Sequence, residues 1–530
     1  MATAEKLHDI DVEHLEAAYD KPSSAPAPTD GDVKLVDADG NVRRIPVPSS
    51  DPNDPLNMNK WRKAGIVVTC CWFSIFSLVL VGGAGPILEF WMQEYTPQGM
   101  STQDVVNLTT YPSLVMALGA FVILPLSVVF GRRPVLLACT LLLLGSTIGA
   151  AVCQSYDTHM ACRILQGIAA GATESVLPLV ITDISFIDER GLLFGFYWGA
   201  QSCVNAVFTI TVSYLAQNLG WRWFYWLMTI LNGLGCMMVF FCLPETRYTR
   251  SSMSIGGQMY YTDEFGVTLV ISEEEARANG ITEAPAVTSP ESKRTYVQSL
   301  NPVSTVAPNG FMLAISVVWK ILSSLSSPAV VWAILATSIT LGVGISMSLT
   351  YGLILTGGYS WPQGSVGLIN CGILPIALIA MFWSGWLGDK TNVWLAKRRN
   401  GTHIPEDSLV ILIVPTIVCM IGIIIYALAA DKPESYSVWA IIMGWTLQQF
   451  GFVVSIITST HFASEAYPSN PGPALVLVVG MKNIVSFGAT YGILPMVHTW
   501  NYLTAYMLLF GVFTGIYVLG IPIYFFNPKV

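Results

Sequence analysis

Ala64-Gly-Ile-Val-Val-Thr-Cys-Cys-Trp-Phe-Ser-Ile-Phe-Ser-Leu-Val-Leu-Val-Gly-Gly-Ala-Gly-Pro-Ile-Leu88 contains no charged side chain. A helix needs about 20 apolar residues, each rising 1.5 Å, to cross the hydrocarbon of a bilayer. This stretch meets that length, and eleven more of the same kind follow it. The first group continues with Asn107–Phe130, Pro134–Cys153, Asp157–Asp183, Gly191–Ala216 and Trp221–Leu243. The second runs Pro328–Gly352, Ser365–Leu387, Ser408–Ala430, Tyr436–Phe462, Gly472–Val497 and Asn501–Phe526. In lipid every backbone polar group must be satisfied internally, and helices do this within one segment. The expected fold is an all-α membrane protein of twelve transmembrane helices (spans 1 to 12) in two pseudo-symmetric six-helix halves. Its expected division is a disordered tail over residues 1–63, a half over 64–243, a central loop over 244–327, a half over 328–526 and a short end at 527–530.

Composition agrees with this reading. Charged residues make up 11% and hydrophobic residues 53%, against about 25% charged in ordinary soluble domains. The 16 Trp and 21 Tyr suit the aromatic belts found at headgroup level. The net charge of −8 gathers in the tail and the loop, and no basic tract points to nucleic acid. Of the 26 Lys and Arg, 22 fall on one face of the predicted topology, counting both ends and the loop. Only Arg222 and Lys432 fall on the other, while Arg163 and Lys482 lie inside spans. Such an excess marks the cytoplasmic side, so both termini are expected there. The polar start has no apolar core and so does not read as a signal peptide.

The ten Cys lie mostly inside spans without paired spacing, so neither a disulfide framework nor a metal site is expected. Asn107-Leu108-Thr109 is a glycosylation sequon on the outer side, close to the bilayer. Asn400-Gly401-Thr402 falls on the cytoplasmic side and should stay bare. Between Tyr260 and Ile281 of the loop, Thr262-Asp-Glu and Glu273-Glu274-Glu275 predict one short strand and one short helix; Ala284–Lys293 has linker composition. No Gly-rich run with Lys-Ser/Thr follows a strand. ATP is therefore not the expected energy source; an ion gradient, or the substrate's own gradient, is.

The loops then suggest a family. Between spans 2 and 3 the chain reads Leu124-Pro-Leu-Ser-Val-Val-Phe-Gly131-Arg132-Arg133-Pro134. At the matching place in the second half stands Gly385-Trp-Leu-Gly-Asp389-Lys390, followed by Lys397-Arg398-Arg399. Span 4 carries Arg163-Ile-Leu-Gln166-Gly167-Ile-Ala-Ala-Gly171. Together these resemble the major facilitator superfamily. Five further stretches narrow the resemblance: Asp51-Pro-Asn-Asp-Pro-Leu-Asn57, Glu174-Ser-Val-Leu-Pro178, Tyr197-Trp198, Gly220-Trp-Arg-Trp-Phe-Tyr-Trp226 and Leu243-Pro-Glu-Thr246. With Arg398-Arg-Asn-Gly401 and Lys482-Asn483 they are similar to fungal members of the twelve-span drug:proton antiporter family, in the branch that includes histidinol and polyamine permeases. The resemblance implies a proton-coupled carrier of small organic molecules at the plasma membrane, working as a monomer by alternating access. It also implies a central cavity lined by spans 1, 4, 5, 7, 8, 10 and 11, and a cytoplasmic gate built from Gly131, Arg132, Arg133 and Asp389.

Two departures stand out. The family's first loop motif has an Asp and an Arg three and two residues before its Gly; here those places hold Val128 and Val129. The span-5 antiporter motif appears as Gly199-Ala-Gln-Ser-Cys203-Val204-Asn205-Ala206, without its second Gly and its Pro. Import and export both stay open.

Ionisable groups inside a membrane are costly unless paired or facing a wet cavity. Arg163 and Glu174 are 11 residues apart, which places them about 20° apart around span 4 and about 16 Å apart along it. Glu174 is expected to take up a proton or a cationic group, with Arg163 tuning it and Gln166 in the same pathway; a purely structural pairing of each charge is the alternative. Lys482 and Asn483 lie mid-span in span 11. His461 and Glu465, at i,i+4 on span 10, are candidates for a gate or for partners of Lys482, and two ligands do not make a metal site. Gln201 and Asn205, also i,i+4, serve either substrate or helix–helix contact. No nucleophile–base set lies at one depth, so no enzyme and no cofactor are expected. The competing class is a transport-dead sensor on the same fold.

Overall fold

The computed structural model describes residues 49, 51–248, 253–255, 258–262, 268–272, 295–301, 306–307, 309–398, 404–466 and 471–526. Eleven of the described helices are long and apolar enough to cross a membrane. The remaining span, Ile187–Leu219, is thinned in apolarity by Gln201, Ser202, Asn205, Thr209, Thr211 and Ser213, which sequence alone still read as one crossing. In the first half, spans 1 to 6 are Lys60–Gly82, Thr102–Phe130, Arg132–Val152, Tyr156–Ile184, Ile187–Leu219 and Arg222–Cys242. In the second, span 7 is Pro328–Leu353, and span 8 runs from Gln363 through Ile373–Phe382 to the helix Gly388–Arg398. Span 9 is Ile413–Asp431 behind a 3₁₀ entry at Pro405–Leu412, and spans 10 to 12 are Val438–Ala466, Pro471–Thr499 and Tyr502–Val518.

Spans 2 and 3 are joined by Gly131 alone, at φ 97° and ψ 163°. A side chain there would cost about 1–3 kcal/mol, which is why glycine opens the Gly-Arg-Arg turn. Spans 4 and 7 have 83% and 78% of their most apolar windows buried, spans 6 and 12 only 33% and 11%. The first pair is therefore central and the second faces lipid.

Within the first half, span 2 packs on span 4, and span 3 on span 6. Within the second, span 7 packs on spans 10 and 11, and span 9 on span 10. Across the halves, span 2 meets span 11 and span 5 meets span 8. Exchanging the halves turns span 2 into 8 and span 11 into 5, so the two contacts are equivalents under one pseudo-two-fold axis. The loop between the halves is not bare linker. It carries a three-stranded antiparallel meander, β1 Met253–Ile255, β2 Gln258–Thr262 and β3 Thr268–Ser272, with Met253 opposite Tyr260 and Tyr260 opposite Val270. Sequence had offered one strand here, and the helix expected near Glu273–Glu275 lies outside the described residues. Further on stand two helices, Tyr296–Ser299 and Gly310–Ser323.

Candidate functional site

Span 4 approaches span 2 so closely that a Cβ on Gly171 would lie 2.5 Å from the backbone nitrogen of Ala120. One turn on, Glu174 is buried and faces the second half. Its Oε1 pairs with Lys482 Nζ, and its Oε2 accepts from Asn483 Nδ2. Lys482 also donates to the Val479 carbonyl at 3.0 Å. All three side chains are 2–3% exposed. Sequence had pointed Lys482 toward His461 and Glu465; the structure gives it Glu174, and so ties the two halves together through one ion pair.

Around the pair lie polar groups of spans 1, 4 and 5. Ser77 Oγ and Thr173 Oγ1 are 2.8 Å apart, and Tyr197 Oη donates to the Thr173 carbonyl at 3.0 Å. Lys482 Nζ sits 6.0 Å from the centre of the Trp198 ring, within cation–π range. Gln201 Nε2 donates to Ser74 Oγ at 3.1 Å, a contact between spans 5 and 1. One turn below it, Asn205 Oδ1 is buried with no hydrogen-bond partner.

Arg163 does something else. Its Nε donates to Leu108 O at 2.8 Å, its Nη2 to Val81 O at 2.9 Å, and its Nη1 to Leu80 O and to Gln166 Oε1 at 3.2 Å. Gln166 in turn donates to Ser146 O at 3.3 Å. Arg163 and Gln166 thus sew spans 1, 2, 3 and 4 together, and the expected tuning of Glu174 by Arg163 has no contact to carry it. The helical arithmetic put both residues on one face, but neighbouring spans supply their partners.

Near the N-terminal end of span 4, the sequence reading missed His159. It is fully buried; its Nδ1 lies 3.0 Å from Tyr95 Oη, its Nε2 lies 2.7 Å from Tyr225 Oη, and its ring stacks on Trp221 at 5.2 Å. The Trp-Arg-Trp-Phe-Tyr run was visible, but only folding shows that it closes over a histidine. Beside it Arg222 pairs with Glu94 at 2.8 Å.

At the other end of the membrane the Gly131-Arg132-Arg133 turn is held by carboxylates from elsewhere. Glu245 accepts the backbone N–H groups of Arg132 and Arg133 at 2.9 and 3.3 Å, satisfying the orphan donors of the span-3 N-terminus. Arg132 Nε lies 3.5 Å from Asp183 Oδ2, which also accepts from Thr246 Oγ1 at 3.0 Å. Arg133 donates to the carbonyls of Phe240 (2.8 Å) and Leu243 at the end of span 6, and to those of Ser299 (2.9 Å) and Leu300 (2.8 Å) in the loop. Where the family's Asp and Arg are replaced by Val128 and Val129, Arg247 binds their carbonyls at 2.7 and 3.0 Å. The carboxylate missing before Gly131 is thus supplied by Glu245 and Asp183. Glu245→Ala should leave these two N–H groups unpaired, at about 1–3 kcal/mol for a buried group. A fall of several degrees in the melting temperature of purified protein is the expected result.

The side chains of Asp389 and Glu465 lie outside the described residues, as does Asn400; His461 is half-buried at the end of span 10. Asn107 is 7% exposed inside the span-2 helix and accepts from Gln103 Nε2 at 3.3 Å. A glycan attaches to an exposed Asn, and this one is largely covered. Among the described residues no group of three His, Cys, Asp or Glu is placed to hold a metal.

Two six-helix halves thus meet at a buried Glu174–Lys482 ion pair. The family description Major Facilitator Superfamily matches residues 69–490, and the chain belongs to that superfamily. It is a multi-pass secondary transporter of small molecules. An uncharacterised transporter of the same type from Schizosaccharomyces pombe is 23% identical over 86% of this chain and 82% of its own. The transporter cpaT of Aspergillus oryzae is 23% identical over 91% of this chain and 90% of its own. Among solved structures, the proton:xylose symporter XylE bound to 6-bromo-6-deoxy-D-glucose aligns with TM-score 0.59 at 14% identity, covering 89% of this chain and 97% of that one. The human organic anion transporter MFSD10 aligns at 0.54 and 13%, covering 87% and 100%. At such identities the structures speak for the fold alone.

Proposed function

We propose that the chain is a proton-coupled carrier of small organic molecules, in the twelve-span drug:proton antiporter family and its histidinol and polyamine branch. In this reading it is a monomer in the plasma membrane, with both termini in the cytoplasm and with halves bounded near 64–243 and 328–526. The observation that carries it is the buried Glu174–Lys482 pair between the halves. Alternating access requires the halves to part, and parting this pair leaves two charges in a medium that penalises each by several kcal/mol. A proton on Glu174 removes one charge and the attraction with it. A cationic substrate competes with Lys482 and the proton for the same carboxylate; an acidic or neutral one travels with the proton, steered by Lys482. Asn483, Gln201 and the unpaired Oδ1 of Asn205 supply hydrogen bonds, while Arg163 and Gln166 keep span 4 in place. His461 and Glu465 serve the inner gate.

The test is uptake into proteoliposomes with an imposed pH gradient, offered polyamines, other amines and organic acids. Accumulation of one class that collapses with the gradient is expected; accumulation indifferent to it overturns the coupling. Asp389 is assigned to the latch of the second half, so Asp389→Asn should slow turnover more than it weakens binding. A tenfold loss of affinity, about 1.4 kcal/mol, at unchanged turnover would refute that role.

A further inference from the structure

The helix Gly310–Ser323 is apolar on two opposite faces. Val317 and Ile321 are buried at 0% and 2%, and the helix packs on both span 2 and span 11. On its other side Phe311, Ile315, Val318, Trp319 and Leu322 are exposed, Phe311 and Trp319 at 79% and 72%. At 100° per residue these five fall within an arc of about 100°, with Met312 at its edge and Val317 and Ile321 opposite. A helix that meets water on its outer side carries polar residues there, and a contiguous apolar face of this kind needs a cover. Its 14 residues reach about 21 Å, too short for a hydrocarbon core of about 30 Å.

The place of the helix selects that cover. Just before it, Ala307 N donates to Val129 O at 3.0 Å, at the end of span 2 where the chain turns back into the membrane. Just after it, the turn Ser324–Ser326 leads directly into Pro328 of span 7. Both ends therefore stand at the level where spans enter the bilayer. We propose that Gly310–Ser323 is a non-spanning helix embedded in the lipid leaflet on the loop's side, its outer face covered by acyl chains. Because it grips span 2 of one half and span 11 of the other, it straps the halves together on that side. Any opening between spans 2 and 11 there must detach it from one of them. This inference stands independently of proton coupling.

The experiment places p-benzoylphenylalanine at Phe311, Ile315 and Trp319, one position at a time, in the full chain reconstituted in phosphatidylcholine vesicles. A fourth site at Glu434, exposed in the loop between spans 9 and 10, is the water-facing control. After irradiation, mass spectrometry should find lipid adducts at the three helix positions at least tenfold above the control. Adducts no more frequent than at Glu434 would put the helix in water and overturn the proposal. A cross-linked dimer in place of lipid adducts would assign the face to a second copy and overturn it equally. The three positions are exposed, so each variant is expected to fold, and agreement among them guards against the failure of one.

Discussion

Glu174→Gln is expected to abolish concentrative, pH-dependent transport. It breaks the buried pair from one side, at about 3–5 kcal/mol of stability. The glutamine still gives the Lys482 ammonium an acceptor, so folded protein should still reach the membrane. Glutamine has the shape of the protonated acid, but it has no titratable proton. Its Oε1 can still accept from Lys482, and its Nε2 can donate to Asn483 once the Asn483 amide turns over to present Oδ1. Substrate-for-substrate exchange should survive, since it needs no net proton movement. The measurement compares uptake into vesicles at several external pH values, wild type against variant: wild type should vary with pH and the variant should be flat. Undiminished accumulation in the variant would remove Glu174 from the mechanism and direct attention to Glu465 and His461.

Lys482 supplies the second half of this test. Lys482→Met leaves the Glu174 carboxylate buried without its cation, and breaking a buried pair from one side costs about 3–5 kcal/mol. Low yield and a lowered melting temperature are expected for that variant alone. The double variant Glu174→Gln/Lys482→Met removes both charges, so stability should return while coupling does not. Recovery of folding without function separates the cost of a buried charge from the work the pair does in transport. If the double variant were as unstable as Lys482→Met, the pair would not be the source of that instability.

The spans were legible because a bilayer imposes one requirement, length with apolarity, that each segment meets by itself. Even the polar span 5 could be read, since its polar residues are scattered along one long helix. Pairing was another matter. Nothing local to Glu174 or Lys482 says that they meet, because they stand in different halves and a tertiary contact decides it. Sequence spacing placed His461 and Glu465 together and offered them to Lys482, and it placed Arg163 on the face of Glu174; both were statements about one helix. The loss of the loop carboxylate at Val128 was plain in the sequence, yet its replacement by Glu245 and Asp183 was not, since those residues follow span 6 and end span 4. His159 escaped notice because a lone histidine has no period or partner spacing, and its two tyrosines, Tyr95 and Tyr225, come from two other segments.

Arg163 offers the clearest separation of structural from transport roles. Arg163→Met should remove the donors that serve Leu80 O, Val81 O and Leu108 O. A buried carbonyl left without its donor costs about 1–3 kcal/mol, and three together are comparable with the 5–15 kcal/mol of a whole domain's stability. Little folded protein should therefore reach the membrane. Arg163→Lys keeps the charge, yet a single ammonium cannot reproduce a planar fork aimed at carbonyls of two spans. A melting temperature well below wild type is expected for it, while whatever fraction remains folded keeps the wild-type pH profile of uptake. A residue that tuned the proton site would behave in the opposite way, with near-normal stability and a displaced pH profile. That second outcome would restore Arg163 to the transport pathway. The first would leave it as the clamp that holds span 4 so that Glu174, eleven residues on, meets the other half.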